Sequence, residues 1–275
     1  MRNGFRLLRI CDIIGTVIKM TQTARRLFLI KELLNEDIRF KRYEPEMMSE
    51  QEQKDLLRSL MNIRMPAPLS EEFIRIQDEY LKQEIAEKGI TDFAELTPVE
   101  NGICLWQGDI TTLKCDAIVN AANSQMLGCF HPLHNCIDNC IHTYSGLQQR
   151  NACHELMQKQ GYEEPTGQAK ITPAFNLPCK YVIHTVGPIV NVNLTDEHRE
   201  LLKSCYLSCL KCAEENELTS IAFCCISTGV FGFPQKEAAK IAVDTVRDYQ
   251  KHSDIKVIFN VFKDEDRIIY ESILG

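Results

Sequence analysis

The chain has 275 residues, 44% hydrophobic and 25% charged, proportions ordinary for a soluble globular protein with one substantial core and room for a smaller appendage. Thirty-eight acidic residues against 31 basic ones give a formal charge of −7, which disfavours a general binder of nucleic-acid backbone, since such proteins carry a basic surface. Thirteen cysteines, an odd number without a secretory signal, argue against a disulfide framework; most are expected to be small buried hydrophobes, as in Ala222-Phe-Cys-Cys-Ile226, unless their spacing says otherwise.

Met1 to Lys19 is basic and apolar, but Arg6, Arg9 and Asp12 interrupt it. It offers no clean signal region, and nothing nearby is long enough to span a bilayer, so no membrane role and a cytoplasmic location are expected. Residues 1–19 are expected to be disordered or a translated leader before a natural start at Met20. Ser49-Glu-Gln-Glu52 is a capping box ahead of Leu56, Leu57, Leu60 and Met61, apolar at helical spacing. Met65-Pro-Ala-Pro-Leu69 breaks that helix. Ser70-Glu-Glu opens another, which carries Phe73, Ile76, Tyr80, Leu81 and Ile85 and ends at Gly89. No polar cluster here suggests chemistry, so residues 1–98 are expected to form a helical extension packed on the main domain.

From about Gly102 the pattern changes. Short β-rich runs appear at Ile103–Gln107, Ala117–Asn120, Tyr181–Val186, Ile221–Ile226 and Lys256–Val261. Helical patterns over Ile137–Gln160, Thr195–Asn216, Lys236–Gln250 and Glu265–Leu274 separate them. This alternation predicts a three-layer α/β/α domain over residues 99–275, with ligands at the carboxyl ends of its strands.

Three of the loops that follow strands carry unusual residues. In Gln107-Gly-Asp-Ile110, a carboxylate just past a glycine turn can accept hydrogen bonds from an amino group, or can simply cap a helix. Asp116-Ala-Ile-Val-Asn-Ala-Ala-Asn123 ends in amides that both donate and accept. Ser227-Thr-Gly-Val-Phe-Gly-Phe-Pro234 allows close backbone approach to a ligand and presents amides at a helix start, an anion site. Its spacing is neither a dinucleotide fingerprint nor a P-loop.

These segments, with Ile183-His-Thr-Val-Gly-Pro188, resemble the macrodomain family over roughly residues 100 to 275. The resemblance implies a mixed central sheet between helices and ADP-ribose lying over the strand ends. Asp109 and Ile110 would meet adenine, and Ser227, Thr228, Gly229, Val230 and Phe231 the diphosphate, with Phe231 covering the distal ribose. Asn123, Cys136, Ile137 and Asp138 would surround that ribose. Where most hydrolytic macrodomains have a glycine-rich stretch, this chain has Gly128-Cys-Phe-His-Pro-Leu-His-Asn-Cys136. That departure is similar to the zinc-containing macrodomains, found mainly in bacteria and often encoded beside a sirtuin-type ADP-ribosyltransferase and lipoyl-carrier proteins.

The spacing also speaks for zinc by itself. Cys129, His134 and Cys136 place two thiolates and an imidazole within eight residues. Zinc favours such ligands, and three of them leave a position open, as a catalytic ion requires. Cys140, one helical turn beyond Cys136, could instead close a four-ligand structural site, and His131 and His142 lie nearby. Asp138 and Asn123 are the catalytic candidates: Asp138 to orient or deprotonate water, or to cap the Ile137 helix; Asn123 to hold ribose hydroxyls. The leading expectation is a monomeric zinc-dependent hydrolase that frees ADP-ribose from mono-ADP-ribosylated protein. The alternatives are a non-catalytic ADP-ribose reader, and a structural zinc beside a cleft for another nucleotide or RNA.

Overall fold

The computed structural model describes residues 20–37 and 42–275; the leader expected at residues 1–19 lies outside them. Among the described residues three helices come first, α1 (Gln22–Asn35), α2 (Glu50–Ile63) and α3 (Glu71–Lys88). Their ends follow from local chemistry. Thr21, Ser49 and Ser70 each accept a first-turn amide, Ser49 and Glu52 form the reciprocal capping box, and Gly89 at φ 90° stops α3. The helices bury Leu29, Ile30, Leu57, Leu60, Phe73 and Ile76 in a core that Leu147 also enters. Ile85, near the end of α3, packs in the larger core instead. Buried Gln77 takes the Leu147 amide on its side-chain oxygen at 3.0 Å, and Asn176 donates to Asp78 at 2.8 Å. Both apolar and directional contacts therefore fix the extension to the α/β domain.

The rest of the chain runs β1 (Thr91–Asp92), β2 (Ile103–Gln107), β3 (Leu113–Lys114), β4 (Ala117–Ala122), α4 (Ile137–Ser145), α5 (Leu147–Gln160), β5 (Ala169–Pro173), β6 (Tyr181–Val186), α6 (Asp196–Glu215), β7 (Ser220–Phe223), α7 (Gln235–Gln250), β8 (Lys256–Val261) and α8 (Asp264–Leu274). Six strands form one sheet in the order β2-β8-β7-β4-β6-β5, and β1 pairs with β3 separately. Every pairing in the large sheet is parallel except β5 with β6. Helices α6, α7 and α8 pack as one layer, while α4 and α5, backed by α2 and α3, form the other. The architecture is the mixed three-layer α/β/α fold expected.

Several details differ from the sequence pattern. The helix expected over Ile137–Gln160 is two helices, because Gly146 at φ 96° turns the chain between them. A Cβ there would stand 2.7 Å from the Gln77 amide, so glycine makes the turn and admits the extension together. Strand β5 has no counterpart among the expected strands; it is a partly exposed edge strand ending in Pro173, without clear alternation. The strand expected over Ile221–Ile226 stops at Phe223, and β4 continues past Asn120 to Ala122.

The pairing of β4 changes along its length. It meets β7 only at Ala117 with Ile221 and Ile118 with Ala222, yet meets β6 as far as Ala122 with Val186. Beyond Ile118, β4 and β7 part. The chain leaves β4 toward β6 on one side, and β7 lies on the other, the arrangement at which open α/β sheets take their ligands.

Candidate active site

At the end of β2, Asp109 caps a short 3-10 turn over Ile110–Thr112, and its Oδ1 accepts from the Thr111 amide at 3.0 Å and hydroxyl at 2.6 Å. Its Oδ2 accepts from Lys88 Nζ at 2.8 Å. Burial pushes this carboxyl up, but the bonds from Lys88 and Thr111 and the Lys88 charge outweigh it, so Asp109 titrates below its ordinary range. Lys88 also sits 3.3 Å above the Tyr144 ring. The last turn of α3 thus reaches the adenine end of the expected cleft, a contribution that the α3 sequence did not signal.

Asp138 lies in the first turn of α4 but does not cap it; the Cys136 sulfur does, taking the Asn139 amide at 3.4 Å. Asp138 instead turns inward, 5% exposed, where Asn120 Nδ2 donates to its Oδ1 at 2.8 Å and Asn123 Nδ2 to its Oδ2 at 3.3 Å. Asn120 faces His184 across the β4–β6 register and also lies 3.1 Å from its Nδ1. Burial raises Asp138 to about 6, against the lowering bond from Asn120 and the charge of Arg150. A carboxylate so placed can exchange a proton near neutrality.

Asn123 has further duties. Its Oδ1 accepts from the amides of Gln125 and Met126, both at 3.1 Å, and its Nδ2 also donates to the Gly128 carbonyl at 3.1 Å. It shapes the turn that leads into the cysteine loop. Gly128 at φ 80° is required there, since a Cβ would stand 2.7 Å from the His142 ring.

In the loop itself, the ligating atoms of Cys129, His134 and Cys136 lie within 4.8 Å of one another, and Cys129 Sγ is 3.6 Å from His134 Nδ1. A tetrahedral ion with bonds of about 2.0–2.3 Å holds its ligand atoms about 3.5–3.8 Å apart, so this set fits zinc with modest tightening. Burial and the neighbouring Cys129 push the Cys136 thiol up, the behaviour of a sulfur that a cation would have to deprotonate. Cys140 and His131 stand outside the set. Arg58 Nη2 approaches the Cys140 sulfur at 3.8 Å, and exposed His131 points its Nδ1 to the Pro132 carbonyl at 3.1 Å.

A second trio, His142, Cys153 and His184, is equally close but fully buried. His184 Nε2 is already met by Thr172 at 2.8 Å, and burial drives His184 down to about 3 and Cys153 up to about 12. It behaves as a neutral packed cluster.

After β7, Ser227 turns at φ 66° with its side chain buried against Gly187, where a Cβ would stand 2.0 Å from Ser227 Oγ. Phe233 N donates to the Ser227 carbonyl at 3.0 Å and Gly232 N to that of Gly229 at 3.1 Å, which folds Thr228–Phe231 into a tight loop before α7. Among the described residues no acceptor takes the amides of Gly229, Val230 and Phe231. Gly229 and Val230 are exposed and Phe231 half-buried. Such a cluster of backbone donors suits an anion. The structure thus brings Asp138, Asn123 and the cysteine–histidine loop together beyond β4, with Asp109–Ile110 and the Ser227–Phe231 loop following the carboxyl ends of β2 and β7.

The macro domain family model matches residues 119–242. A protein-ADP-ribose hydrolase of Treponema medium is 57% identical over 263 residues, spanning 93% of this chain and all of that protein. Its counterpart in Staphylococcus aureus strain MSSA476 is 52% identical over 221 residues, 79% of this chain and 83% of that one. Among solved structures, the Trypanosoma brucei macrodomain in complex with ADP-ribose aligns with TM-score 0.62 at 29% identity, covering 79% of this chain and 95% of its own. The Oceanobacillus iheyensis macrodomain with ADP aligns with TM-score 0.59 at 37% identity, covering 65% and 93%.

Proposed function

The chain belongs to the macrodomain family, beside relatives named protein-ADP-ribose hydrolases, and from that premise we propose that it is a zinc-dependent hydrolase releasing ADP-ribose from mono-ADP-ribosylated protein. The observation that carries this reading is the placement of Asp138. It is a buried carboxylate held by two amides, two residues beyond a metal-competent cysteine in a cleft whose other loops suit a nucleotide diphosphate.

In this reading Asp109 and the Ile110 amide receive adenine, and the Gly229, Val230 and Phe231 amides receive the diphosphate. Phe231 covers the distal ribose. Cys136 and Ile137 line the ribose beside Asp138, and a ribose hydroxyl replaces the longer of the Asn123 bonds, the 3.3 Å one to Asp138. Cys129, His134 and Cys136 would hold the ion, which when bound supplies polarisation of a ribose oxygen or lowers the pKa of a water toward ~7. Asp138 orients the attacking water and takes its proton. General-base help of this kind is worth ~10²–10⁴ in rate.

The same reading extends to setting. Reduced sulfurs at Cys129 and Cys136 suit a cytoplasmic enzyme, acting as a monomer, and a lipoyl-carrier protein modified by a sirtuin-type transferase is the target class we favour. Incubation with a mono-ADP-ribosylated protein tests the proposal: free ADP-ribose should appear, and Asp138→Ala should slow its release by ~10²–10⁴ while ADP-ribose still binds. Binding without release by the wild-type chain would support the reader reading instead.

A further inference from the structure

A loop that supplies three ligands from eight residues needs outside support to keep its shape. Two residues of α2, Arg58 and Asn62, one helical turn apart, reach it from the extension. Arg58 Nη2 donates to the His134 carbonyl at 2.8 Å and to Asn139 Oδ1 at 3.0 Å. Buried Asn139 in turn donates its Nδ2 to the carbonyls of Cys129 at 3.2 Å and His131 at 3.0 Å. Asn62, 1% exposed, takes the Leu133 amide on its Oδ1 at 3.1 Å and donates to Thr143 Oγ1 at 2.9 Å. Leu133 has φ 58°, a left-handed conformation that a non-glycine residue keeps only where its surroundings enforce it. It directly precedes His134. The backbone on either side of the ligands is therefore gripped by one polar clamp rooted in α2.

We infer that α2 of the helical extension is part of the metal site, with Arg58 and Asn62 as positioning residues that set the spacing of Cys129, His134 and Cys136. The inference rests on the zinc reading above. Partners that orient metal ligands from behind typically govern affinity by about 10–100-fold.

The test uses the full chain and two readouts apart from turnover: zinc affinity by competition with a chromophoric chelator, and the visible bands of the cobalt(II)-substituted protein. Arg58→Ala and Asn62→Ala should each weaken zinc binding about 10–100-fold and alter the cobalt bands. Arg58→Lys, which keeps a donor on a shorter arm, should fall between. Arg64→Ala, which breaks the ion pair between Glu36 at the end of α1 and the residue just past the end of α2, should lower thermal stability and leave zinc affinity unchanged. Should Arg58→Ala fail to fold, Asn62→Ala decides. Wild-type affinity and bands in both alanine variants would overturn the inference, as would equal zinc loss in Arg64→Ala. A wild-type chain that takes up neither metal would instead overturn the zinc reading itself.

Discussion

Asn120 on β4 donates to Asp138 on α4 across 2.8 Å, and this one bond ties the buried carboxylate to the central strand. The β4–β6 register sets Asn120 opposite His184, so the amide is held from behind as well. Asn120→Ala should therefore release the carboxylate without emptying the cleft. We expect turnover to fall about 10–100-fold, less than the ~10²–10⁴ for removing the base itself, with ADP-ribose affinity changed far less. Calorimetric binding alongside steady-state release of ADP-ribose checks this; equal losses in both would make Asn120 a binding residue only.

Gly187 and Ser227 make a similar pair at the Ser227–Phe231 loop, the proposed diphosphate site. A Cβ on residue 187 would overlap Ser227 Oγ at 2.0 Å, far inside van der Waals contact. Gly187→Ala should displace the loop, weaken ADP-ribose binding at least about tenfold, and destabilise the fold by about 1–3 kcal/mol, the usual penalty of overpacking. Titration with ADP-ribose should show it, and unaltered affinity would remove the loop from the binding site.

Stability in acid should depend on Asp116. Burial raises its carboxyl, but bonds from Lys180 and Thr219 and the Lys180 charge prevail and hold it down to about 2 from 3.8. Because the folded value lies below the unfolded one, the stabilisation is complete above the unfolded value and is lost as pH falls toward about 2. Asp116→Asn should lower stability by about 1–2 kcal/mol at neutral pH and narrow its gap to wild type below pH ~4. Urea unfolding at a series of pH values measures the gap; a gap independent of pH would contradict the assignment.

The extension should behave as structure rather than tether. Ile76 is 1% exposed in the core shared with Leu147, so Ile76→Ala should cost about 2–5 kcal/mol. If that variant melts like wild type, the extension contributes little to the folded state.

Much of the fold is legible in the residues themselves. The Ser49–Glu52 capping box, the strands at Ile103–Gln107, Tyr181–Val186 and Lys256–Val261, and the cysteine–histidine spacing are local patterns, and local patterns survive folding. The hidden part is long-range. Arg58 and Asn62 look like any polar pair on a helix surface until α2 is placed against the loop 71 or more residues away. Lys88 reads as an ordinary helix-end cation, and only the packing of α3 against the Ile110–Thr112 turn brings it to Asp109. Asp138 could equally have capped its helix; its inward turn depends on Asn120, 18 residues earlier. The break at Gly146 also depends on a partner, Gln77, that no local window contains.

Zinc dependence is measured by single-turnover release of ADP-ribose from a mono-ADP-ribosylated protein by zinc-loaded, chelator-stripped and reloaded enzyme. Stripping should abolish release while ADP-ribose still binds, and one equivalent of zinc should restore it. Stripped enzyme releasing ADP-ribose at the loaded rate would contradict a zinc-dependent hydrolase.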